Sequence, residues 1–593
     1  MNSIHAHRRH IPGRLTSTLA VLLLVGGALL TGAEDPKATN GSSTSSAVVP
    51  AAPQSQDDGI ARLTAAIAAQ QSTIQAQQKQ IESLQRGLEQ QQQLLQKMMA
   101  AMPARQGNGD SAVVASLAPI VPARASVRAA LPTIELPQDA RPARQKTDAG
   151  GNQNPCEASE GNAVPPYLRL GSTCIVPVGF MDLTAVWRDK AAGTSLGTNF
   201  SSVPFNNVAA AKNSEFRFTP QNSRIGFRVD GNWKGAHFIG YNEFDFLGQS
   251  GGLNLTVTNG AFVPRLRLFW LDVRKGKLEF LAGQSWSLLT PNRKGLSALP
   301  SDLFYSQVVD VNYMAGLTWT RQPGVRVLYH PSEKLAMGLS FENPEQYVGG
   351  SAGGPVVTPP SALTGLLGTQ LDNSTNVLTI PNLHPDIIAK VAWDPSSRVH
   401  LEVAGLLRTF KIWNPTTNRH FTDVGGGGSI NGNFEVVKNF RIVTNNYWSD
   451  GGGRYLFGQV PDLVLHTDGS ISGIHAGGTV DGPEWTIKNT LLYAYYGGIY
   501  AGRNTAIDTN GSQIGYGFKG SSNGHNRAIQ EITFGFNQTL WKNPRYGAFN
   551  VMGQYEYLFR NPWYVAPGSP KAAHDNTIYV NLRYSLPGSM PNF

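Results

Sequence analysis

Thr577-Ile578-Tyr579-Val580-Asn581-Leu582-Arg583-Tyr584-Ser585-Leu586, almost at the end of the chain, alternates strictly between two kinds of side chain. Ile578, Val580, Leu582, Tyr584 and Leu586 share one face; Thr577, Tyr579, Asn581, Arg583 and Ser585 share the other. Successive side chains of a strand point to opposite sides, so this stretch builds a wall that is apolar on one side and polar on the other. The pattern recurs back to about residue 178, and the long polar segments between repeats carry no core-forming pattern. Such a wall suits a closed barrel with lipid outside and water inside.

Composition agrees. The 593 residues include 64 glycines, 9% aromatic and only 15% charged residues, as expected of a β-rich chain with long loops. A mean hydropathy of −0.22 excludes a helical membrane protein, and no apolar run beyond the N-terminus reaches the roughly 20 residues that a spanning helix needs. The net charge of +9 would suit nucleic acid, anionic lipid or anionic solutes. The basic residues are scattered, with no basic helix or aromatic-basic cluster, which argues against nucleic acid.

The N-terminal segments read in turn. Arg8, Arg9 and Arg14 precede an apolar stretch from Leu19 to Leu30, and Thr31-Gly32-Ala33 offers a small-residue cleavage site, so residues 1–33 are expected to be a secretory signal peptide. Residues 34–56 are rich in Ala, Ser, Pro and Thr and read as disordered. Over 57–100, Ile60, Ile67, Ile74, Ile81, Leu88 and Leu95 recur every seven residues, the core positions of a periplasmic coiled coil. Gln70, Gln77 and Gln91 occupy interleaved positions and are compatible with a trimer. Residues 101–155 form a Pro/Ala/Arg-rich linker. Its charge could touch the anionic cell-wall polymer, peptidoglycan; a merely solvated spacer is the plainer reading. Cys156 and Cys174 are the only cysteines, and in an exported chain they are expected to pair, constraining the unfolded chain by about 3 kcal/mol. Residues 156–177 are thus a disulfide-bearing segment.

From residue 178 to 593 the chain resolves into strands. Val178–Trp187 comes first. Ser223–Asp230 and Ala236–Phe246, Arg265–Arg274 and Lys277–Trp286, Arg321–His330 and Leu335–Glu342, Ile387–Asp394 and Val399–Arg408, and Ala528–Leu540 and Tyr546–Arg560 pair around short polar turns. Weaker pairs lie near 430–447 and 472–493, and Thr577–Leu586 closes the set. The fold class predicted is therefore an all-β transmembrane barrel of about sixteen antiparallel strands, preceded by an α-helical coiled coil. Seven short turns lie on one side and eight longer loops on the other. That width admits an aqueous channel.

Alternation assigns faces. Arg224, Arg228, Arg265, Arg267, Arg326, Glu402, Arg408, Glu556 and Arg560 fall on the polar face and are candidate pore-lining residues. Rings of fixed charge set which ions enter, and arginine forks onto carboxylates and phosphates. The plainer reading of any one arginine is a brace paired with a lumenal Asp or Glu; for the set, excess positive charge favours anions. The loop at about Ser287–Thr320, with Arg293, Lys294, Asp302 and Asp310, is a candidate constriction.

Signals for an enzyme fail on context. Gly193-Thr194-Ser195-Leu196-Gly197 fits a nucleophile elbow but has no helix after it. Gly515-Tyr516-Gly517-Phe518-Lys519-Gly520 fits a dinucleotide loop but has no βαβ unit. The histidines show no metal-ligand spacing, so neither a metal nor a cofactor is expected.

Gln221-Asn222-Ser223-Arg224-Ile225-Gly226-Phe227, Leu281-Ala282-Gly283-Gln284-Ser285-Trp286-Ser287, Arg321-Gln322-Pro323 and Glu342-Asn343-Pro344-Glu345 resemble segments of the DcaP-like outer-membrane porins, in the same order. The resemblance covers the barrel and is clearest in its first half. It implies a trimeric porin of a Gram-negative-type outer membrane that passes small anionic solutes such as dicarboxylates, with a periplasmic coiled coil on each chain. By position, Arg224, Arg326 and Gly283–Ser287 match. The Pro587–Asn592 tail before Phe593 departs from the pattern, as do the 343–385 loop and the disulfide segment. Rival readings are a phosphate-selective porin, which calls for a denser Arg/Lys ladder, and a structural tether from outer membrane to cell wall.

Overall fold

The computed structural model describes residues 167–589, apart from 195, 249–261, 304–306, 352–353 and 376–378. The expected signal peptide, coiled coil, linker and Cys156 lie outside the described residues. Cys174 is buried, and no described cysteine is free.

The wall is a closed antiparallel barrel of sixteen strands. In chain order these are β1 (Thr173–Arg188), β2 (Arg224–Trp233), β3 (Ala236–Gly248), β4 (Val263–Lys275), β5 (Leu278–Trp286), β6 (Arg321–Ser332), β7 (Leu335–Glu342) and β8 (Asp386–Ser396). They continue as β9 (Val399–Asn414), β10 (Arg419–Val437), β11 (Phe440–Asp450), β12 (His475–Ile487), β13 (Thr490–Ala501), β14 (Asn526–Asn543), β15 (Gly547–Pro562) and β16 (Ala573–Ser585). Closure comes from β1 on β16, with Phe180 opposite Ser585 and Arg188 opposite Thr577. Glu215–Thr219 continues the β2 position further along β1, and Leu168–Leu170 folds back on the start of β1. Closing the sheet removes its edges, so every interior strand has two ladder partners.

The observed strands follow the alternation. Leu335–Glu342 matches its expected span, and the other expected strands are found with shifted or longer ends. Two differences stand out. The wall begins at Thr173, inside the segment assigned to the disulfide. The connection expected after Arg408 is not a long loop: β9 runs on to Asn414, and a turn at 415–418, with Asn418 at φ 52°, leads straight into β10. Gly425–Gly428 gave that stretch no apolar alternation to read.

The short turns at the other end need backbone that curls sharply. Lys234 and Gly235 have φ of 49° and 76°, and Gly276 has φ of 60°; the left-handed region is open to glycine without steric cost.

The outer surface is an apolar belt: Ile225, Phe269, Val327, Val403 and Val580 all project from it. A register shift beside Glu243 and Phe244 puts a bulge in β4, so Arg265, Arg267 and Leu268 turn inward while Leu266 and Phe269 stay out.

Candidate functional site: the barrel lumen

The interior is not an empty bore. The described residues of 287–320, the loop between β5 and β6, run inside the barrel and touch strands all around the wall. Backbone inside a barrel but outside the ladder must find other acceptors for its N–H groups, and here lumenal side chains supply them. Leu288 N donates to Glu342 (2.7 Å), Asn292 N to Glu402 (3.2 Å), Gly295 N to Asp394 (3.0 Å) and Val309 N to Gln554 (2.6 Å). Ala315 N donates to Glu531 (2.8 Å) and Thr318 N to Asn445 (3.0 Å). Four of these six acceptors are carboxyl groups and two, Gln554 and Asn445, are amide oxygens.

The same loop contributes an apolar layer. Leu299, Met314, Leu317 and Trp319 pack with inward residues of distant strands, among them Ile239, Leu281, Val443 and Val480. A chain of rings crosses this layer: Trp286 to Tyr313 at 6.0 Å, Tyr313 to Trp319 at 5.1 Å, and Trp319 stacked on Phe457 at 4.7 Å. Phe457 belongs to the 451–474 loop, which packs with the 343–385 loop above it: Tyr347 donates to Gly458 O at 2.6 Å. Both loops bury apolar side chains in a common core.

The sequence-assigned residues sit as follows. All nine pore-lining candidates face inward, and most are engaged. Glu402 is covered by the loop; its Oε1 lies 2.8 Å from Lys390 Nζ, and Asn431 donates to it. Arg408 lies 3.1 Å from Asp386 and 2.7 Å from Asp462, and donates to Gly451 O and Glu345 O. Arg560 donates to Val203 O, Asn523 O and Asn526 Oδ1, over the Phe205 ring. Arg228 pairs with Asp230 at 2.6 Å. Arg326 donates to Trp286 O at 2.6 Å, and Glu556 is buried beside Gln554. In these places the brace reading describes the contacts.

One cluster differs. Arg267 lies 2.7 Å from both Glu243 and Asp245, Arg265 lies 2.7 Å from Asp245, and Arg224 lies 3.5 Å from Glu243. Arg321, at the start of β6, stands near Arg265 and Arg267 and shares the Trp286 ring with Arg267. Its Nη1 has no hydrogen-bond partner. Four guanidiniums thus surround the carboxylates of Glu243 and Asp245, and the Arg265 side chain is 41% exposed. Arg321 was not among the sequence candidates. It begins its strand, ahead of the alternating stretch that assigns faces, and only its inclusion in the Arg321-Gln322-Pro323 segment marked it.

Within the inner loop, Arg293 pairs with Glu484 at 2.8 Å, Lys294 is exposed, and Arg293 N donates to Asp302 O. Asp310 is buried: it accepts from Thr198 N (3.0 Å), Asn312 N (2.7 Å) and Tyr579 Oη (2.8 Å). In the 343–385 loop, burial, with Asp372 nearby, pushes the Glu345 carboxyl up to about 7. No group of three or more His, Cys, Asp or Glu side chains that could hold a metal occurs among the described residues.

No protein-family model and no curated protein sequence matches the chain. Solved structures do. The outer membrane channel DcaP of Acinetobacter baumannii matches over 71% of this chain and 100% of its own, at 16% identity and a TM-score of 0.51. OmpT of Vibrio cholerae, at 11% identity and TM-score 0.38, and OmpF of Salmonella typhi, at 11% and 0.39, each match over 71% of this chain and 100% of theirs. The likeness to DcaP is one of fold: this chain is built as an outer-membrane channel barrel is built.

Proposed function

We propose that the chain is a porin of a Gram-negative-type outer membrane, a water-filled route for passive diffusion of small hydrophilic solutes. The observation that carries this reading is the closed sixteen-strand wall, apolar outside and polar within. Nothing in that arrangement calls for a bond to be made or broken. The likeness in fold to the DcaP channel supports it.

Within this reading we assign a preference for anions, dicarboxylates among them, to the Arg224, Arg265, Arg267 and Arg321 cluster. Its charge exceeds that of the carboxylates it embraces, and fixed charge along a pore selects counter-ions. The inner loop of residues 287–320 is the constriction. We assign assembly of three chains to this protein, with which the seven-residue repeat from Ile60 to Leu95 is compatible, and place the repeat in the periplasm.

The test is the reversal potential of purified protein in a planar bilayer under a KCl gradient, with succinate and phosphate added in turn. Discrete steps with anion preference, reduced by succinate, are the expected result. Block by phosphate and not by succinate would favour the phosphate-selective alternative. Folded barrels without conductance would overturn the pore and leave the tether to the cell wall.

A further inference from the structure

A row of rings crosses the outer surface at the long-loop end of β11–β15. Trp448 on β11 and Tyr500 on β13 stand on one rung, joined through Gly477 of β12. Both project outward, since Tyr447, Ser449, Ile499 and Ala501 beside them are buried. Their rings stack at 6.2 Å, and His475 stacks on Trp448 at 6.1 Å. Trp563, just past β15, meets Tyr500 edge to face at 6.3 Å. Trp563 is pinned there: its Nε1 donates to Ala501 O and its backbone N to His525 O, each at 2.9 Å.

Two arginines stand at this row. Arg503 lies with its Cζ 5.7 Å from the centre of the Trp563 ring. Arg527 sits in the bulge between Asn526 and Ala528, at the start of β14; Asn526 and Ile529 are buried, whereas Arg527 is exposed. Among the described residues neither guanidinium has a carboxylate within ion-pair distance; Asp450, on the same rim, lies 3.9 Å from His475 instead. The lumen is the reverse, since Arg228, Arg267 and Arg408 are each matched there by carboxylates. A ring holds a guanidinium in place without neutralising it, so the two charges are left for something outside the chain. Below the rim the outward face of β14 is apolar: Ile532, Phe534 and Phe536 are all exposed.

We propose that Arg503 and Arg527, beside the Trp448, Tyr500 and Trp563 rings, hold the phosphate headgroup of a lipid in the outer leaflet. Aromatic side chains gather at headgroup height, at the edge of a barrel's apolar band, and the row puts both arginines at that height. A guanidinium forks onto phosphate oxygens through two parallel hydrogen bonds. The site thus takes a charged head on the arginines and acyl chains on Ile532 and Phe534 beneath them. That pairing of charge with apolar wall selects a phosphorylated lipid over free phosphate. The proposal rests on the outer-membrane reading, with the long loops outside, and adds a lipid contact that the reading does not require.

The experiment exposes the purified full chain, in mild detergent, to lipid A carrying its phosphates, to the same lipid with the phosphates removed, and to inorganic phosphate, and reads bound lipid by native mass. Retained lipid A is expected, displaced neither by the dephosphorylated lipid nor by excess inorganic phosphate. An arginine beside an anionic headgroup is worth about a factor of five in affinity, so Arg503→Ala with Arg527→Ala should weaken binding about 25-fold. Both side chains are exposed, so the heat-dependent gel shift should stay unchanged; the single variants serve if the double variant does not fold. Arg503→Lys with Arg527→Lys keeps the charge and should recover part of the binding. Arg545→Ala, at the short-turn end where Arg545 lies 5.9 Å from the Tyr546 ring centre, should leave it unchanged. Equal binding of the two lipids, full displacement by inorganic phosphate, or equal binding by the wild type and a folded alanine variant would overturn the proposal. Conductance of the wild-type protein is read separately: lipid retention without conductance removes the porin reading and keeps the site, and conductance without retention does the reverse.

Discussion

Lys390 Nζ lies 2.8 Å from Glu402 Oε1, and neither side chain has any exposure to solvent. The pair sits on adjacent strands, yet its work is to hold a third element. Lys390 donates to Thr290 O at 2.8 Å, and Glu402 accepts from Asn292 N. One buried ion pair thus holds the 287–320 loop by a carbonyl and an N–H at once.

Glu402→Gln leaves Lys390 a buried charge with weakened compensation, and breaking such a pair costs about 3–5 kcal/mol. The double replacement Lys390→Met with Glu402→Leu removes both charges and is expected to recover part of that loss, because Asn292 N still lacks its acceptor. The midpoint of the heat-dependent gel shift, measured for single and double variants, checks both; equal midpoints for Glu402→Gln and wild type would refute that hold on the loop.

Arg408→Met should act on the loops above. Asp386 and Asp462 would then be buried without the cation that both contact, at a similar cost of about 3–5 kcal/mol. Limited proteolysis is expected to cut the 451–474 segment faster than in the wild type, while the wall strands stay protected.

Arg321→Ala addresses selectivity rather than stability, since no carboxylate depends on it for a salt bridge among the described residues. A unit charge at about 7 Å from a passing ion in water contributes about 0.6 kcal/mol, a factor of about 2–3 in relative permeability. The reversal potential should move toward cations by that factor, with the gel-shift midpoint unchanged. Arg267→Ala, which removes the guanidinium that Glu243 and Asp245 share, should lower the midpoint as well.

Glu345 gives the outer loops a pH dependence of definite sign. Its carboxyl is raised to about 7, first by burial and then by Asp372, with Asp462 adding and Arg454 opposing. The folded loop therefore prefers the protonated acid. Docking is strongest below the ordinary glutamate range near 4.3 and weakens as pH rises through about 7, where the folded form must also ionise. Amide exchange of residues 343–351, followed from pH 4 to 8, is expected to speed up beyond its intrinsic rise. Glu345→Gln should flatten that excess.

Much of the barrel was legible in residues such as Ile578, Val580 and Leu582, because a strand's two faces meet different solvents and the sequence must alternate to serve both. The same rule put Arg224, Arg267, Glu402 and Arg408 inside. It failed where apolar side chains are missing, as at Gly425–Gly428, and where a bulge or strand end breaks the phase, as at Arg321.

The loop that enters the lumen was legible as a candidate, but the wall residues it meets were not. Alternation reports which solvent a side chain avoids, and carries nothing about a partner far along the chain. Asn292 meets Glu402 across 110 residues, Asp310 meets Tyr579 across 269, and Ala315 meets Glu531 across 216. Those bonds exist because an irregular loop inside a barrel must satisfy its backbone with whatever the wall presents. The sequence by itself determined a closed wall with an apolar outside. Tertiary structure alone decided which partner each inward charge meets, since that choice depends on where the loop comes to rest.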